Sequence, residues 1–348
     1  MIGNILEKAK GAGIKVYKRN IENLIAALEK SSNFWEMLDY ADIPITYAAK
    51  LIKILEDEGL VKIEGEKILL TERGKKLAKE GVKFYDFVCK ACEGRGVPFY
   101  ADKELYKLFL QAAAERPEML QKYDQGAVTP ETTIARVLFM MQRGDLENKR
   151  IMVMGAEDDL NGLAIALTKK AKEVVILDID ERLIKLVNKW VDKLGIENAR
   201  AEVFDLRNPF PERFLHKFDV FVTDPPETIA AFQAFVERGF ATIKHDGGVS
   251  YFGLTLKDSS IFRWKQFQEI LLKNNAVITD IIQDFCHYMN WEYFKEMEAF
   301  KLSPTKILPK KIWYKSAWYR LEILPGFKSS NEKISDEVFY LDEEGSTT

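Results

Sequence analysis

Three acids stand in a row, Glu157, Asp158 and Asp159, directly after an apolar run that ends in Gly155. A loop in this position that meets a nucleotide cofactor normally carries several glycines, which let the backbone approach the ligand's anionic groups. One glycine and three acids instead repel a carboxylate or phosphate and attract an ammonium. A helix cap accounts for one of them, Asp158 or Asp159, but not for three. Further on, LDID puts Asp178 at the end of a second apolar run, where a carboxylate can accept both hydroxyls of a ribose. Asp205, in VFDLRNP, follows a third run and suits the exocyclic amine of adenine. Together these positions describe an adenosine ligand without phosphate, with no basic residue expected in the loops to meet one.

A fourth apolar run ends in TDPPET. In enzymes that alkylate amine nitrogen, such an Asp and a proline carbonyl hold the amine with its lone pair aimed at the electrophile. Asp224 and Pro225 take those places here, and the two prolines stiffen the turn by fixing φ. Glu227 replaces the usual aromatic, which favours a second positive charge on the substrate over a planar base. Tyr123 and Gln125, in YDQGAVTPETT, are expected to close over the ligand, while Thr129-Pro130 reads equally as a helix start. His287, Trp291 and Glu292, in DFCHYMNWEYF, combine aromatic rings and an acid suited to a long cation. Asp258, beyond FGLTL, is a further cation contact. Cys89 and Cys92 have CxxC spacing, yet a tetrahedral zinc would need two more ligands, and Cys286 and His287 are adjacent and distant in sequence. No metal is expected, and a local disulfide or two ordinary buried thiols is preferred.

The elements that must position these residues follow from the same 348-residue chain, long enough for two domains. Hydrophobic residues at 47% exclude a disordered chain and charged residues at 30% exclude a membrane bundle. With 51 basic against 54 acidic residues, non-specific nucleic-acid binding is not the expected task. No apolar run approaches the roughly 20 residues that span a bilayer, so a cytoplasmic protein is expected. Abundant Lys and Glu lean towards a thermophilic source. Residues 1–82 read as helices followed by a hairpin across Glu64-Gly65-Glu66, a winged-helix-like α+β domain. Residues 83–130 read as a linker with the CxxC segment and a helix, 131–328 as a Rossmann-like α/β domain with a mainly parallel sheet, and 329–348 as a flexible acidic tail.

From the residues alone, an S-adenosyl compound with a cationic tail alkylates an amine, and decarboxylated S-adenosylmethionine fits that description. With these motifs in place, the sequence resembles the archaeal and bacterial branched-chain polyamine synthases, the N4-bis(aminopropyl)spermidine synthases. The likeness covers nearly the whole chain and rests on GAEDDLN and TDPPET, with CKACEGRG, YDQGAVTPETT, the N-terminal pattern and the acidic tail beside them. It implies two successive aminopropyl transfers from decarboxylated S-adenosylmethionine, a co-substrate and not a bound cofactor, to the central secondary amine of spermidine. It also implies a homodimer and a tail that helps to hold the polycation. The family's acidic loop usually reads Gly-Asp-Asp-Asp; its catalytic aspartate carries over onto Asp159, with Asp158 next. Two alternatives use the same features differently. An N-methyltransferase would want a glycine-rich first loop, and a winged-helix DNA-binding regulator would use the helix around Ile45 to Leu55 as its output.

Overall fold

The computed structural model describes residues 1–85, 87–334 and 342–346. Four helices open the chain: α1 (Ile2–Gly11), α2 (Lys18–Lys30), α3 (Phe34–Ala41) and α4 (Ile45–Asp57). On α2, Ile21, Leu24, Ile25 and Leu28 all turn inward, the apolar stripe that a period of 3.6 produces. β1 (Val61–Glu64) and β2 (Lys67–Leu70) pair antiparallel, and Gly65 at φ 58° supplies the left-handed turn between them. Thr71 caps α5 (Glu72–Glu80) by accepting from the Gly74 N–H.

This module is packed onto the rest of the chain. The Trp35 ring lies 4.6 Å from that of Trp313, and its indole N–H donates to the Ile307 carbonyl at 2.9 Å. The buried Lys257 ammonium donates to the Leu38 carbonyl. Eight residues of α4, from Ile45 to Leu55, are buried. Its exposed Lys50 and Lys53 are offset by exposed Glu56 and Asp57, so α4 presents no basic face to a phosphate backbone.

The connecting segment is fastened rather than loose. Arg95, in CKACEGRG, is buried and donates to the Phe285 carbonyl at 2.8 Å. After α6 (Lys103–Ala113), Thr129 caps α7 (Pro130–Gln142), with Pro130 in the first turn, where its missing N–H costs nothing.

Strands and helices then alternate: β3 (Arg150–Met154), α8 (Asn161–Leu167), β4 (Glu173–Asp178), α9 (Glu181–Lys193), β5 (Ala199–Val203), β6 (Val220–Thr223), α10 (Ile229–Thr242), β7 (Gly248–Leu254), α11 (Ile261–Lys273), β8 (Ala276–His287), α12 (Glu298–Leu302) and β9 (Lys315–Ile323). The sheet order is β5-β4-β3-β6-β7-β9-β8, parallel except for β9, which runs antiparallel to both neighbours. Alternate side chains of β3 serve two cores. Ile151 and Val153 join the layer with Ile134, Leu163 and Leu183, while Met152 and Met154 join Phe232 and Phe267 on the other face. This is a Rossmann-like sheet of the methyltransferase type. Its strand order reverses beside β3, so the ligand crevice belongs at the carboxyl ends of β3 and β6.

Part of the expected flexible tail, residues 335–341 and 347–348, lies outside the described residues. Residues 342–346 depart from that expectation because their polar groups find buried partners. The Glu344 carboxylate accepts from the Tyr47 hydroxyl at 3.1 Å and from the Ser260 N–H at 2.6 Å. Asp342 pairs with Arg263 at 2.8 Å, and Ser346 donates to Asp258. These acids are already engaged with the protein.

Candidate active site

The three consecutive acids part company in the fold. β3 ends at Met154, and Gly155 turns the chain at φ 56°, where a Cβ would lie 2.7 Å from the Phe235 ring. Glu157 is fully buried. One of its carboxyl oxygens accepts the Gly162 N–H in the first turn of α8, and the other has no hydrogen-bond partner among the described residues. Burial pushes its pKa up to about 8, so it is protonated at neutral pH and acts on the helix from inside. Asp159 is also fully buried. Its carboxylate accepts the Val128 N–H at 2.7 Å and pairs with Arg136 at 2.6 Å. Burial pushes it up to about 7, with the Arg136 guanidinium pulling the other way. Asp158 alone of the three opens on the cleft, where its carboxyl accepts the N–H groups of Gly126 and Asp159. Burial first, and Asp159 next, push it well above the usual carboxylate range. The expectation that all three acids face the ligand is therefore corrected.

The cleft encloses about 960 Å³, counting its open mouth, at the carboxyl ends of β3 to β6. One end is lined by Gly155, Asp178, Ile179, Phe204, Asp205, Leu206 and Phe235. Asp178 accepts the Asp180 N–H at 2.9 Å, and burial pushes it up to about 6. Asp205 is gripped by Arg207, whose Nε and Nη2 donate at 2.9 and 2.6 Å and hold the carboxyl below its usual range. Arg207 lines the cleft, which overturns the expectation of loops without a basic residue. The nearby Asp205 explains why it does not make the cleft a phosphate site.

The other end is lined by Asp224, Pro225, Pro226, Glu227, Tyr288, Trp291 and Tyr314, with Tyr123, Asp124, Gln125 and Gly126 across from them. Asp224 accepts from the Tyr288 hydroxyl at 3.1 Å and from Arg136 at 3.0 Å. Gly253 of β7 makes room for it, since a Cβ there would lie 2.6 Å from the Asp224 Oδ1. Burial and the neighbouring Asp258, Asp124 and Asp224 push Glu227 well up. The Tyr288 and Trp291 rings lie nearly parallel at 6.2 Å, and Tyr314 stands perpendicular to both at 5.1 Å. The Gln125 carbonyl accepts from the Trp291 indole at 2.9 Å and the Tyr293 hydroxyl at 2.6 Å, while its side chain donates to Asp180 at 3.0 Å. Gln125 thus fastens the segment that covers the cleft.

Besides Glu157 and Asp159, three expected contacts lie outside the lining. Asp258 stands behind the wall, accepting from the Tyr314 hydroxyl at 2.6 Å. His287 faces Glu93 at 3.8 Å, and burial pushes its pKa down to about 4. Glu292 is exposed and lines a separate depression with Arg116 and Met289. Conversely, Asp124, Phe235, Tyr314 and Arg136 escaped the sequence reading. Arg136 had a signal, as the single charge in TTIARVLFMM.

Six carboxyl groups and one arginine line this cleft, an arrangement that selects cations. A methyltransferase-type sheet with such a cleft at its switch point defines a transferase that moves a group from a nucleoside-bearing donor to a cationic acceptor. Comparison with known proteins narrows the class. Residues 104–347 match the family described as the branched-chain polyamine synthase A C-terminal domain. The chain is 43% identical to the N(4)-bis(aminopropyl)spermidine synthase of Thermococcus kodakarensis and 42% identical to that of Methanocaldococcus jannaschii, over 99% of this chain and of each relative. The crystal structure of the Thermus thermophilus branched-chain polyamine synthase in complex with N4-aminopropylspermidine and 5'-methylthioadenosine superposes with a TM-score of 0.93 at 36% identity, covering 100% of this chain and 98% of that one. The chain belongs to the branched-chain polyamine synthase family.

Proposed function

We propose that this enzyme transfers two aminopropyl groups in succession from decarboxylated S-adenosylmethionine to the central secondary amine of spermidine. N4-aminopropylspermidine forms first, then N4-bis(aminopropyl)spermidine, with 5'-methylthioadenosine released each time. The observation that carries this reading is one cleft with two unlike ends, one with Asp178 and Asp205 beside Phe204 and Phe235 and an acidic, aromatic one around Asp224. The bound pair in the Thermus thermophilus structure supports it.

In this assignment Asp178 holds the ribose, Asp205 meets adenine, and Gly155 lets the backbone approach the nucleoside. Asp158, Asp124 and Glu227 meet the ammonium groups of donor and polyamine, while Tyr288, Trp291 and Tyr314 line the alkyl chain and its charges. Asp224 and the Pro225 carbonyl hold the attacking nitrogen. The new C–N bond forms as the C–S bond breaks with its electron pair going to sulfur. General-base help is worth about 10²–10⁴ in rate, and alignment of nitrogen with carbon contributes more. Asp159 stands behind Asp224 and Asp158, so its role is indirect.

The proposal extends to a homodimer in the cytoplasm. Tyr85, Phe87 and Val88 are exposed in the connector and would be covered by a second copy, and the three cysteines are free thiols, as a reducing compartment favours. The test is mass spectrometry of the protein incubated with spermidine and either decarboxylated or intact S-adenosylmethionine. Two successive gains of one aminopropyl unit, from the decarboxylated donor alone, are expected. A methyl gain from the intact donor, or no product from either, would overturn the reading.

A further inference from the structure

Arg136 is fully buried on α7 and absent from the cleft lining, yet its guanidinium is bonded on several sides. Nη1 donates to Asp159 at 2.6 Å, and Nη2 to Asp224 at 3.0 Å. Nε and Nη2 reach the Cys286 Sγ at 3.3 and 3.0 Å, and the group lies 4.4 Å from the centre of the Trp318 ring. The Asp159 and Asp224 carboxyl groups thus stand on one guanidinium, and the Asp224 charge works to push Asp159 up. A carboxyl held beside a second acid resists ionisation, which favours a proton on Asp159. A planar fork with fixed donor directions holds such a pair in a way that a lysine ammonium does not.

We propose that Arg136 is a positioning residue for the reaction, clamping Asp159 to Asp224 as a carboxyl pair that shares protons, with Asp224 facing the amine and Asp159 as the reserve acceptor behind it. This rests on the proposed aminopropyl transfer. The secondary amine arrives as an ammonium and gives one proton to the pair. Its freed lone pair forms the C–N bond, the C–S electrons leave on sulfur, and the positive charge passes from sulfonium to the new tertiary ammonium. That ammonium gives its own proton to the pair before the second attack, which ends in a quaternary nitrogen with no proton to lose. The pair therefore accepts one proton per transfer and returns it to water. Besides Arg136, the charged or titratable groups facing the pair are Asp158, Tyr288 and Cys286, with Glu227 on the turn of Asp224 and Arg116 beyond Asp158. Arg136 touches both members.

The test compares wild type with Arg136→Gln and Arg136→Lys. It measures kcat and KM for spermidine across pH, and 5'-methylthioadenosine affinity by calorimetry. Wild-type turnover in the same assay reports on the aminopropyl-transfer reading separately. Arg136→Gln is expected to bind 5'-methylthioadenosine within threefold of wild type, to lose at least a hundredfold in kcat, and to show an acid limb of the rate profile moved up by more than one pH unit. The upward sign follows because the guanidinium favours the deprotonated pair. Arg136→Lys keeps the charge without the fork and is expected to lose at least tenfold in kcat with a limb close to wild type. An unmoved limb in Arg136→Gln with intact nucleoside binding would overturn the clamp. If Arg136→Gln does not fold, wild-type kcat in Arg136→Lys overturns it and the tenfold loss supports it.

Discussion

Glu157→Gln should make the protein more stable, and increasingly so as the pH rises. In the folded chain the Glu157 carboxyl is held at about 8 against an ordinary 4.5, because burial disfavours its charge. Between those values the folded state binds a proton that the unfolded state has released, so stability falls as pH rises, by about 1.4 kcal/mol per pH unit. Summed over the interval, the penalty is about 3 kcal/mol at pH 7 and about 5 kcal/mol above pH 8. Glutamine keeps an oxygen for the Gly162 N–H and places an NH₂ where the protonated acid has its O–H. The variant should therefore match wild type near pH 4.5 and exceed it by several degrees in Tm at pH 8, where about 1 kcal/mol corresponds to a few degrees. Donor KM should stay within a few-fold of wild type, because Glu157 lies behind the cleft wall. Thermal or urea unfolding at pH 5 and pH 8 measures the effect. Equal stability of the two proteins at pH 8 would refute the buried-acid argument, and a large rise in donor KM would put Glu157 back at the ligand.

Asp224→Ala is expected to abolish amine alkylation with 5'-methylthioadenosine affinity within a few-fold of wild type; retained transfer would make the Asp-Pro-Pro turn a scaffold only. Gly253→Ala should lower turnover at least tenfold with donor KM unchanged, since the added methyl would sit 2.6 Å from the Asp224 carboxylate, and an unaltered rate would show that Asp224 is free to shift. Asp178→Asn removes hydrogen bonds to a charged group worth about 1.5–3 kcal/mol, so donor KM should rise ten- to a hundredfold while spermidine KM holds. Glu344→Ala leaves the Tyr47 and Ser260 donors without their partner at roughly 1–3 kcal/mol, and a wild-type melting temperature would show that residues 342–346 stand away from α4 in solution.

The alternation of apolar runs and amphipathic stretches made the sheet readable, because β3 and β4 are buried on both faces and can carry little else. The strand-end acids were readable for the same reason, since each follows a run whose end must open on the crevice. What the sequence hid was direction. Glu157, Asp158 and Asp159 look alike in one dimension, yet the turn at Gly155 and the start of α8 send the first inward, the second into the cleft and the third onto Arg136. Partners contributed from far along the chain were equally hidden. Tyr314 precedes the last strand, and β9 lies between β7 and β8 in the sheet, so its place beside the Asp-Pro-Pro turn depends on a non-sequential pairing. Residues 342–346 read as a solvated tail because they are acidic, and only the buried donors Tyr47, Ser260 and Arg263 make that composition a docking segment.

The raised pKa values in this site follow from one cause. Asp158, Asp159 and Asp178 are withdrawn from water with too few cations to pay for full ionisation, and Glu227 shares the condition at the other side of the turn. An acidic cleft of this kind favours protonated carboxyls until a ligand brings positive charge of its own, and the carboxyls then ionise by releasing protons to water. Under the proposed function a polyamine would supply that charge along an alkyl chain, each ammonium meeting an acid and the methylene groups lying on Tyr288, Trp291 and Tyr314. A donor carrying a carboxylate would add a like charge near Asp158. In the proposed assignment Asp158 therefore favours the decarboxylated over the intact donor, while Glu157 and Asp159 of the same loop stand behind it on Gly162 and Arg136.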